Sequence, residues 1–540
     1  CLGLLIISAL SCQNKIDTDL IIFNAKIYTV DSVFSVQEAM AIENGKIISI
    51  GKSAEILKKY TSKNIIDLNA KYVYPGLNDA HAHLYGLGQN LSQVDLVDTQ
   101  SFEEIIKRIQ DFQQQNKKDF IVGRGWDQND WEDKSFPTKD TLDILFPDTP
   151  VALKRIDGHA MLVNQKALDL AGIDENTSMK GGDILKKNGE LTGVLIDNPM
   201  GKIHAIIPQQ NEEDIKNALL QAEKIVLQNG LTSLTDAGLS RQVIELIQQM
   251  HENGELKIRI NAMVSKNRKD IDYFLEKGII KTPRLRVGSI KVYADGALGS
   301  RGAALKEPYS DKANHFGAMV IDLSDFDELA KKLSKTNYQM NTHAIGDSAN
   351  SVVLKTYDKY LNEKPNRRWR VEHAQVLDPK EYDYFSKNII PSVQPTHATS
   401  DMYWAEDRLG AERVKHAYAY KRLLDQVGIL PLGTDFPVEK VNPMLTFYAA
   451  VSRQDTAAYP KDGFQPQNAM SRKETLKGMT IWPAYAAFEE AEKGSLEPGK
   501  YADFVVFDED LMTVDIYDVP KLKVQQTYIN GELVYSYFKN

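Results

Sequence analysis

Residues 75–83 read Pro-Gly-Leu-Asn-Asp-Ala-His-Ala-His and close an apolar run that starts at Tyr72. Residues two apart in a strand share a face, so His81 and His83 can aim both imidazoles to one side. Strand rise puts their backbones about 7 Å apart, close enough for both rings to reach one divalent ion. Such a pair alone is better explained by core histidines with ordinary hydrogen bonds. Its meaning depends on the rest of the chain.

Seven more apolar, strand-like runs follow: Ser233–Asp236, Ile258–Val264, Ile290–Ala294, Gln339–His343, Arg370–His373, Ile389–His397 and Ile429–Asp435. Helical patterns separate several of them, for example Asp214–Gln228 and Asp325–Leu333. Alternating βα units with near-continuous apolar strands indicate an α/β architecture with a parallel sheet. Eight such units predict a (β/α)8 TIM barrel over residues 75–494. The stretch between the first two runs is too long for one βα connection, so an inserted subdomain is expected at about 86–225.

Both ends of the chain carry short alternating strands. Asn44-Gly45 and Asn530-Gly531 stand between pairs of them and mark hairpins. Neither end has enough strands for a stable sheet by itself. Together, residues 19–74 and 495–540 predict one small β-sandwich, into which everything else is inserted.

In a TIM barrel the active site sits at the carboxyl ends of the strands. Here run five ends Asn341-Thr-His343, run six Val371-Glu-His373 and run eight Gly433-Thr-Asp435. Each ending is unremarkable alone. Four histidines and an aspartate gathered at one face would be costly unless something binds them. Run four places Lys291 inside the apolar stretch Ser289–Ala294. A buried ammonium costs several kcal/mol unless neutralised or paired. It could pair with Asp295, or lose its proton and take up CO2 as a carbamate. With the histidines present, the carbamate is the stronger reading.

The 540 residues carry 42% apolar and 26% charged side chains, ordinary values for a globular chain of several domains. Sixty-five basic against 74 acidic residues give a net charge of −9, without the basic footprint of a nucleic-acid binder. The only cysteines, Cys1 and Cys12, fall in the first dozen residues, which excludes a disulfide scaffold and a thiolate metal site in the body. Leu2–Leu10 is apolar but short of the ~20 residues of a spanning helix. It suits a secretory leader over 1–18, and Ala9-Leu10-Ser11-Cys12 resembles a lipoprotein cleavage site. That predicts an exported bacterial lipoprotein of the periplasm or outer membrane, tied to the membrane only through a lipid on Cys12.

The phrases PGLNDAHAH (75–83), THAIGD (342–347), VEHAQ (371–375) and LGTDFPV (432–438) resemble the amidohydrolase superfamily. GRGWDQNDW (123–131), DGHAMLVNQKAL (157–168), GVLIDNP (193–199) and KVYADGALGSRGAAL (291–305) are similar to its amidohydrolase 3, or YtcJ-like, branch. The resemblance implies that His81 and His83 bind the more buried metal and that His343 and His373 bind a second. It also implies that a carboxylated Lys291 bridges the two and that Asp435 contacts a metal and takes the proton of the attacking water. All six positions keep the pattern. One or two ions are compatible with it; His and carboxylate ligands suit Zn²⁺, with Mn²⁺ or Fe²⁺ as alternatives. A divalent ion lowers the pKa of its water from about 15.7 toward 7 and polarises a carbonyl.

The expected activity is hydrolysis of a C–N bond of amide, formamide or N-acyl type in a small molecule. The alternatives are a deaminase or C–O hydrolase on the same fold, or a non-catalytic surface lipoprotein. Four further residues are candidates for substrate contact: His159 in the insert, Arg301 after run four, His397 at the end of run seven, and Asp401 behind it. Trp126, Trp131 and Trp404 could line a pocket or simply pack. His204, His251, His315 and His416 read as surface residues. A homodimer is the default assembly.

Overall fold

A computed structural model describes residues 15–362 and 364–537. The expected leader and lipidation site at Cys12 lie outside the described residues.

At its centre is a parallel sheet of seven consecutive strands. They are β1 (Leu77–Ala82), β2 (Leu231–Leu239), β3 (Arg259–Val264), β4 (Leu285–Tyr293), β5 (Gln339–Ala344), β6 (Trp369–His373) and β7 (Ile389–Ser392). Every neighbouring pair is parallel. Both faces are buried along most strands, which is why they read as apolar runs rather than alternations. The helices between them bury one stripe each. In Glu212–Gln228, Ile215, Leu219, Ala222 and Val226 face the core, and Asn211 and Asp214 close a capping box at its start.

The eighth run does not form a regular strand. Residues 431–436 still fill the gap between β7 and β1. Val393 N–H donates to Pro431 O and Gly433 N–H to Val393 O on one side, while Ala80 N–H donates to Leu432 O and Asp435 N–H to His81 O on the other. Pro431 has no N–H for the ladder, and Asp435 sits at φ 62°. Gly433 is needed for the fit, because a Cβ there would lie 2.6 Å from His81 N. The architecture is an α/β TIM barrel whose last segment is irregular.

Run one divides at Pro75. Tyr72–Pro75 joins a six-stranded sheet with 26–28, 36–37, 504–507, 524–529 and 532–536. A four-stranded sheet of 20–23, 39–43, 46–51 and 65–67 faces it across a core that includes Ile22, Met40, Val73, Phe504 and Tyr528. Strand 504–507 pairs antiparallel with 72–75, so the two chain ends share one sheet. Both Asn-Gly hairpins have positive φ at each residue, as the twist-matched two-residue turn requires. Ile16–Thr18, ahead of the expected start at 19, already pairs with Tyr60–Ser62.

Between β1 and β2 lies a six-stranded mixed sheet in the spatial order 94–95, 121–126, 151–155, 160–163, 190–197, 182–187. It has its own cores, one of them built around Trp126, Trp131 and Leu153. The helix 212–228, placed partly in the insert from sequence, instead packs on β2 as a barrel helix. Among the described residues, no helix is long and apolar enough to cross a membrane.

Candidate active site

The carboxyl ends of the barrel strands open into a cavity of about 860 Å³. His81, His83, Lys291, His343, His373 and Asp435 all line it. The rings form a chain: His81 to His83 at 5.5 Å between centroids, His81 to His373 at 4.9 Å, and His373 to His343 at 4.6 Å. Asp435 Oδ1 stands 3.1 Å from His83 Nε2 and 3.6 Å from His81 Nε2. Lys291 Nζ is 3.0 Å from His81 Nε2. Asp295 does not serve Lys291; it accepts the N–H groups of Ala304, Ile345 and Gly346.

The layer beneath fixes how the imidazoles present themselves. His81 Nδ1 meets Glu372 Oε2 at 2.5 Å, and His373 Nδ1 meets Gln394 Oε1 at 2.8 Å. Each oxygen accepts a hydrogen bond from Nδ1–H, which leaves the Nε2 lone pair facing the cavity. Glu372 is held by Arg370, 2.7 Å from Nε to Oε1. Burial pushes the Glu372 carboxyl up, but Arg370 and His81 outweigh it and bring it down to about 2. Asp79 anchors the other side, accepting from Thr434 Oγ1 at 2.7 Å and from His81 N at 3.0 Å.

Burial decides the charge of the upper layer. It lowers His81 to about 4, helped by Lys291, and holds His343 and His373 well below the usual imidazole range. Lys291 is brought down to about 8 by burial against the pull of Glu372 and Asp435. For Asp435, burial works upward, yet His81, His83 and His373 keep it well below the usual carboxylate range. Burial thus drives His81, His343 and His373 toward the neutral form, while the Asp435 carboxylate among them needs positive charge beside it, supplied by protons on the rings or by a cation. His81, His373 and Asp435 each offer a ligand atom, all within 4.8 Å of one another. The donor set fits a divalent ion with N and O ligands.

The amidohydrolase family's sequence profile matches residues 64–535. The chain belongs to the amidohydrolase family. It is 34% identical over 520 residues to the putative amidohydrolase YtcJ of Bacillus subtilis (strain 168), covering 94% of this chain and 98% of that one. It is 27% identical to the N-substituted formamide deformylase of Arthrobacter pascens, covering 96% and 98%. Among solved structures, an uncharacterized metal-dependent hydrolase from Pyrococcus horikoshii OT3 superposes with a TM-score of 0.74 at 28% identity, covering 92% and 99%. The protein is accordingly a hydrolase of the amidohydrolase family, with a His/His/Asp cluster at the barrel mouth suited to a metal.

Outside the central six, the candidates divide. His159 of this amidohydrolase reaches the cavity from the insert. Its ring lies 4.9 Å from that of His343, and its Nδ1 is 2.7 Å from Asp197 Oδ1. Burial works against its protonated form, but the bond to Asp197 wins and raises its pKa. His397 does not end a strand; Pro395 starts a helix, Pro395–Asp401, that carries it over the mouth. Its Nε2 has no hydrogen-bond partner and stands 3.7 Å from Asp435 Oδ2. Asp401 lines the cavity and accepts from Tyr418 Oη at 2.7 Å. Burial raises it to about 7.

Arg301 stands apart from these: it is not among the residues lining the cavity, and its guanidinium binds Asp311 through Nε at 3.1 Å and Nη2 at 2.8 Å. Its backbone sits at φ 62°. Of the tryptophans, Trp404 lines the cavity, while Trp126 and Trp131 pack in the insert and donate to backbone carbonyls. His251 and His315 are half-buried and bonded to the carbonyls of Ile258 and Arg301 rather than free at the surface. Sequence reading also missed Glu372, Arg370, Gln394 and Asp79. For the first two a signal existed: Arg370-x-Glu372 alternates inward on an otherwise apolar strand.

Proposed function

We propose that this amidohydrolase cleaves a C–N bond in a small N-acyl, N-formyl or amide substrate with the help of one or two divalent ions, zinc being the best match to the ligands. His81, His83, His343, His373 and Asp435 would hold the metal, with Lys291 joining as a carbamate. When bound, the ion supplies a Lewis acid for the scissile carbonyl and lowers the pKa of water in its shell. The chain's own residues do the rest. Glu372 and Gln394 keep two imidazoles in the tautomer that offers Nε2. Asp435, held ionised by the surrounding imidazoles, takes the proton of the attacking water at its carboxylate and passes it to the departing nitrogen. His159 and His397 face the same space and would donate to the carbonyl oxygen or orient the substrate.

The observation that carries the reading is the convergence of His81, His83 and His373 on the buried carboxylate of Asp435. The relative named as an N-substituted formamide deformylase supports the C–N assignment. The test is metal analysis together with a panel of N-acyl, N-formyl, amino-heterocycle and ester substrates, scored for released amine, ammonia, acid and alcohol. Amine release with at least one ion per chain is expected. Ammonia from amino-heterocycles alone, ester cleavage alone, or far less than one ion per chain would overturn it. For Lys291, protein loaded with metal in ¹³C-bicarbonate should show a carbamate carbon that Lys291→Ala lacks.

A further inference from the structure

The barrel mouth supplies one wall of the cavity and the inserted sheet supplies the opposite one. Two neighbouring strands of that sheet, 121–126 and 151–155, run parallel with Arg124 and Lys154 directly in register. Both side chains line the cavity. Like charges side by side on adjacent strands are unfavourable unless something offsets them. Among the described residues no carboxylate pairs directly with either of them; Asp435 and Asp157 attract Arg124 only from beyond ion-pair distance. The nearby Asp127 and Asp157 are both taken by the next residue, Arg155. Arg124 donates through Nη2 to Ile156 O at 3.0 Å, while its Nε is buried with no partner. Four of its five N–H donors are left over.

We infer that Arg124 and Lys154 form an anion subsite that holds a carboxylate on the substrate, so that the substrates are N-acyl or N-formyl compounds bearing a carboxylate group. This rests on the C–N reading above and adds the substrate class. A carboxylate between the two cations removes their repulsion and occupies the free edge of the guanidinium. Desolvation, aggravated by Arg124, lowers Lys154 to about 7, which shows how little the protein compensates these charges unaided. A cavity of about 860 Å³ is large enough for such a molecule to span from this wall to the histidines. Of the other carboxylates of the cavity, Asp236 accepts from Tyr85 N, Asp98 at the rim pairs with Lys440, and Asp435, which attracts Arg124 from beyond ion-pair distance, is engaged by His83 and His81.

The experiment uses zinc-loaded full-length protein and two matched pairs of probes. Calorimetry compares hydrocinnamate with hydrocinnamyl alcohol. Formate release compares N-formylphenylalanine with N-formylphenethylamine, which differ only in the carboxylate. In the wild type the carboxylate member is expected to bind and react about tenfold or more better, as for a hydrogen bond to a charged group. Arg124→Gln and Lys154→Met should each collapse that ratio, and Arg124→Lys should keep part of it. If Arg124→Gln fails to fold by circular dichroism, Lys154→Met and Arg124→Lys decide. A ratio near one in the wild type, or a ratio unchanged in the variants because the carboxylate sits on the metal, would overturn the subsite. Calorimetric discrimination without any formate release would leave the subsite standing and count against the C–N reading. Equal release from both members in every protein would do the reverse.

Discussion

Glu372→Gln tests the architecture under the active site more sharply than any change in the ligands themselves. Glu372 is fully buried and touches two partners, His81 Nδ1 at 2.5 Å and Arg370 at 2.7 Å. Glutamine has nearly the same shape but no charge, so Arg370 is left as a buried cation whose remaining bonds are to Ala80 O and Ser392 Oγ. Removing one partner of a buried pair costs about 3–5 kcal/mol. The carboxyl gives a matching figure: a fall from 4.5 to about 2 is worth about 3 kcal/mol at about 1.4 kcal/mol per pH unit. Because the folded value lies below the unfolded one, this stability is fully present above pH 4.5 and is lost as pH falls toward 2. Urea unfolding of metal-free protein at pH 7 should therefore show the variant less stable by that amount. The gap should narrow as the pH is lowered from 4.5. Metal affinity should fall by about 10- to 100-fold, since His81 loses the acceptor that fixes its tautomer. A variant within 1 kcal/mol of wild type, with unaltered metal affinity, would refute the reasoning.

Asp435→Asn should keep its metal and lose turnover by about 10²- to 10⁴-fold, the usual contribution of a proton-transfer group; near-normal kcat in steady-state assays would remove Asp435 from that role. Chelation should lower the midpoint of thermal unfolding, and zinc at about 100 times its Kd should return about 2.7 kcal/mol. Identical melting curves with and without zinc would mean that the histidine cluster binds nothing. Arg301→Ala should leave KM unaltered and cost less than about 1 kcal/mol, because its bidentate partner Asp311 is part-exposed; a raised KM would put Arg301 back in the site.

The parallel strands were readable because burial on both faces writes them as apolar runs, and their ends were readable because ionisable side chains interrupt those runs. His81, His83, Lys291, His343 and His373 could all be placed in this way. The eighth segment was harder: Pro431, Gly433 and the positive φ of Asp435 break the ladder, so its apolar letters suggest a strand that the hydrogen bonds do not form. His397 was read onto a strand that stops at Ser392, although Pro395 is a helix-start signal. The pairing of Arg301 with Asp311 was not legible, because a loop arginine near a barrel mouth has no periodicity to show which way it points. Glu372 and Gln394 act through histidines that are distant in sequence or adjacent on a strand, and a one-dimensional pattern does not display such contacts.

On the function and the subsite proposed above, chemistry and selection of substrate would be divided between two parts of the chain that fold around different cores. The six central side chains come from barrel strands and the loops that end them, where both faces are packed. His159, Arg124 and Lys154 come from the insert, whose sheet has separate cores. Substitution on the inserted sheet can therefore alter what the cavity recognises without disturbing the ladder that aligns His81, His343 and His373. The two parts meet at several contacts, among them the ring of His159 against that of His343, Arg408 Nη2 donating to Asn129 Oδ1 and Asn198 Nδ2 to Val320 O. A variant that moves the insert should thus change KM for anionic substrates before it changes metal content, whereas a variant beneath the barrel mouth, such as Glu372→Gln, should change metal content first.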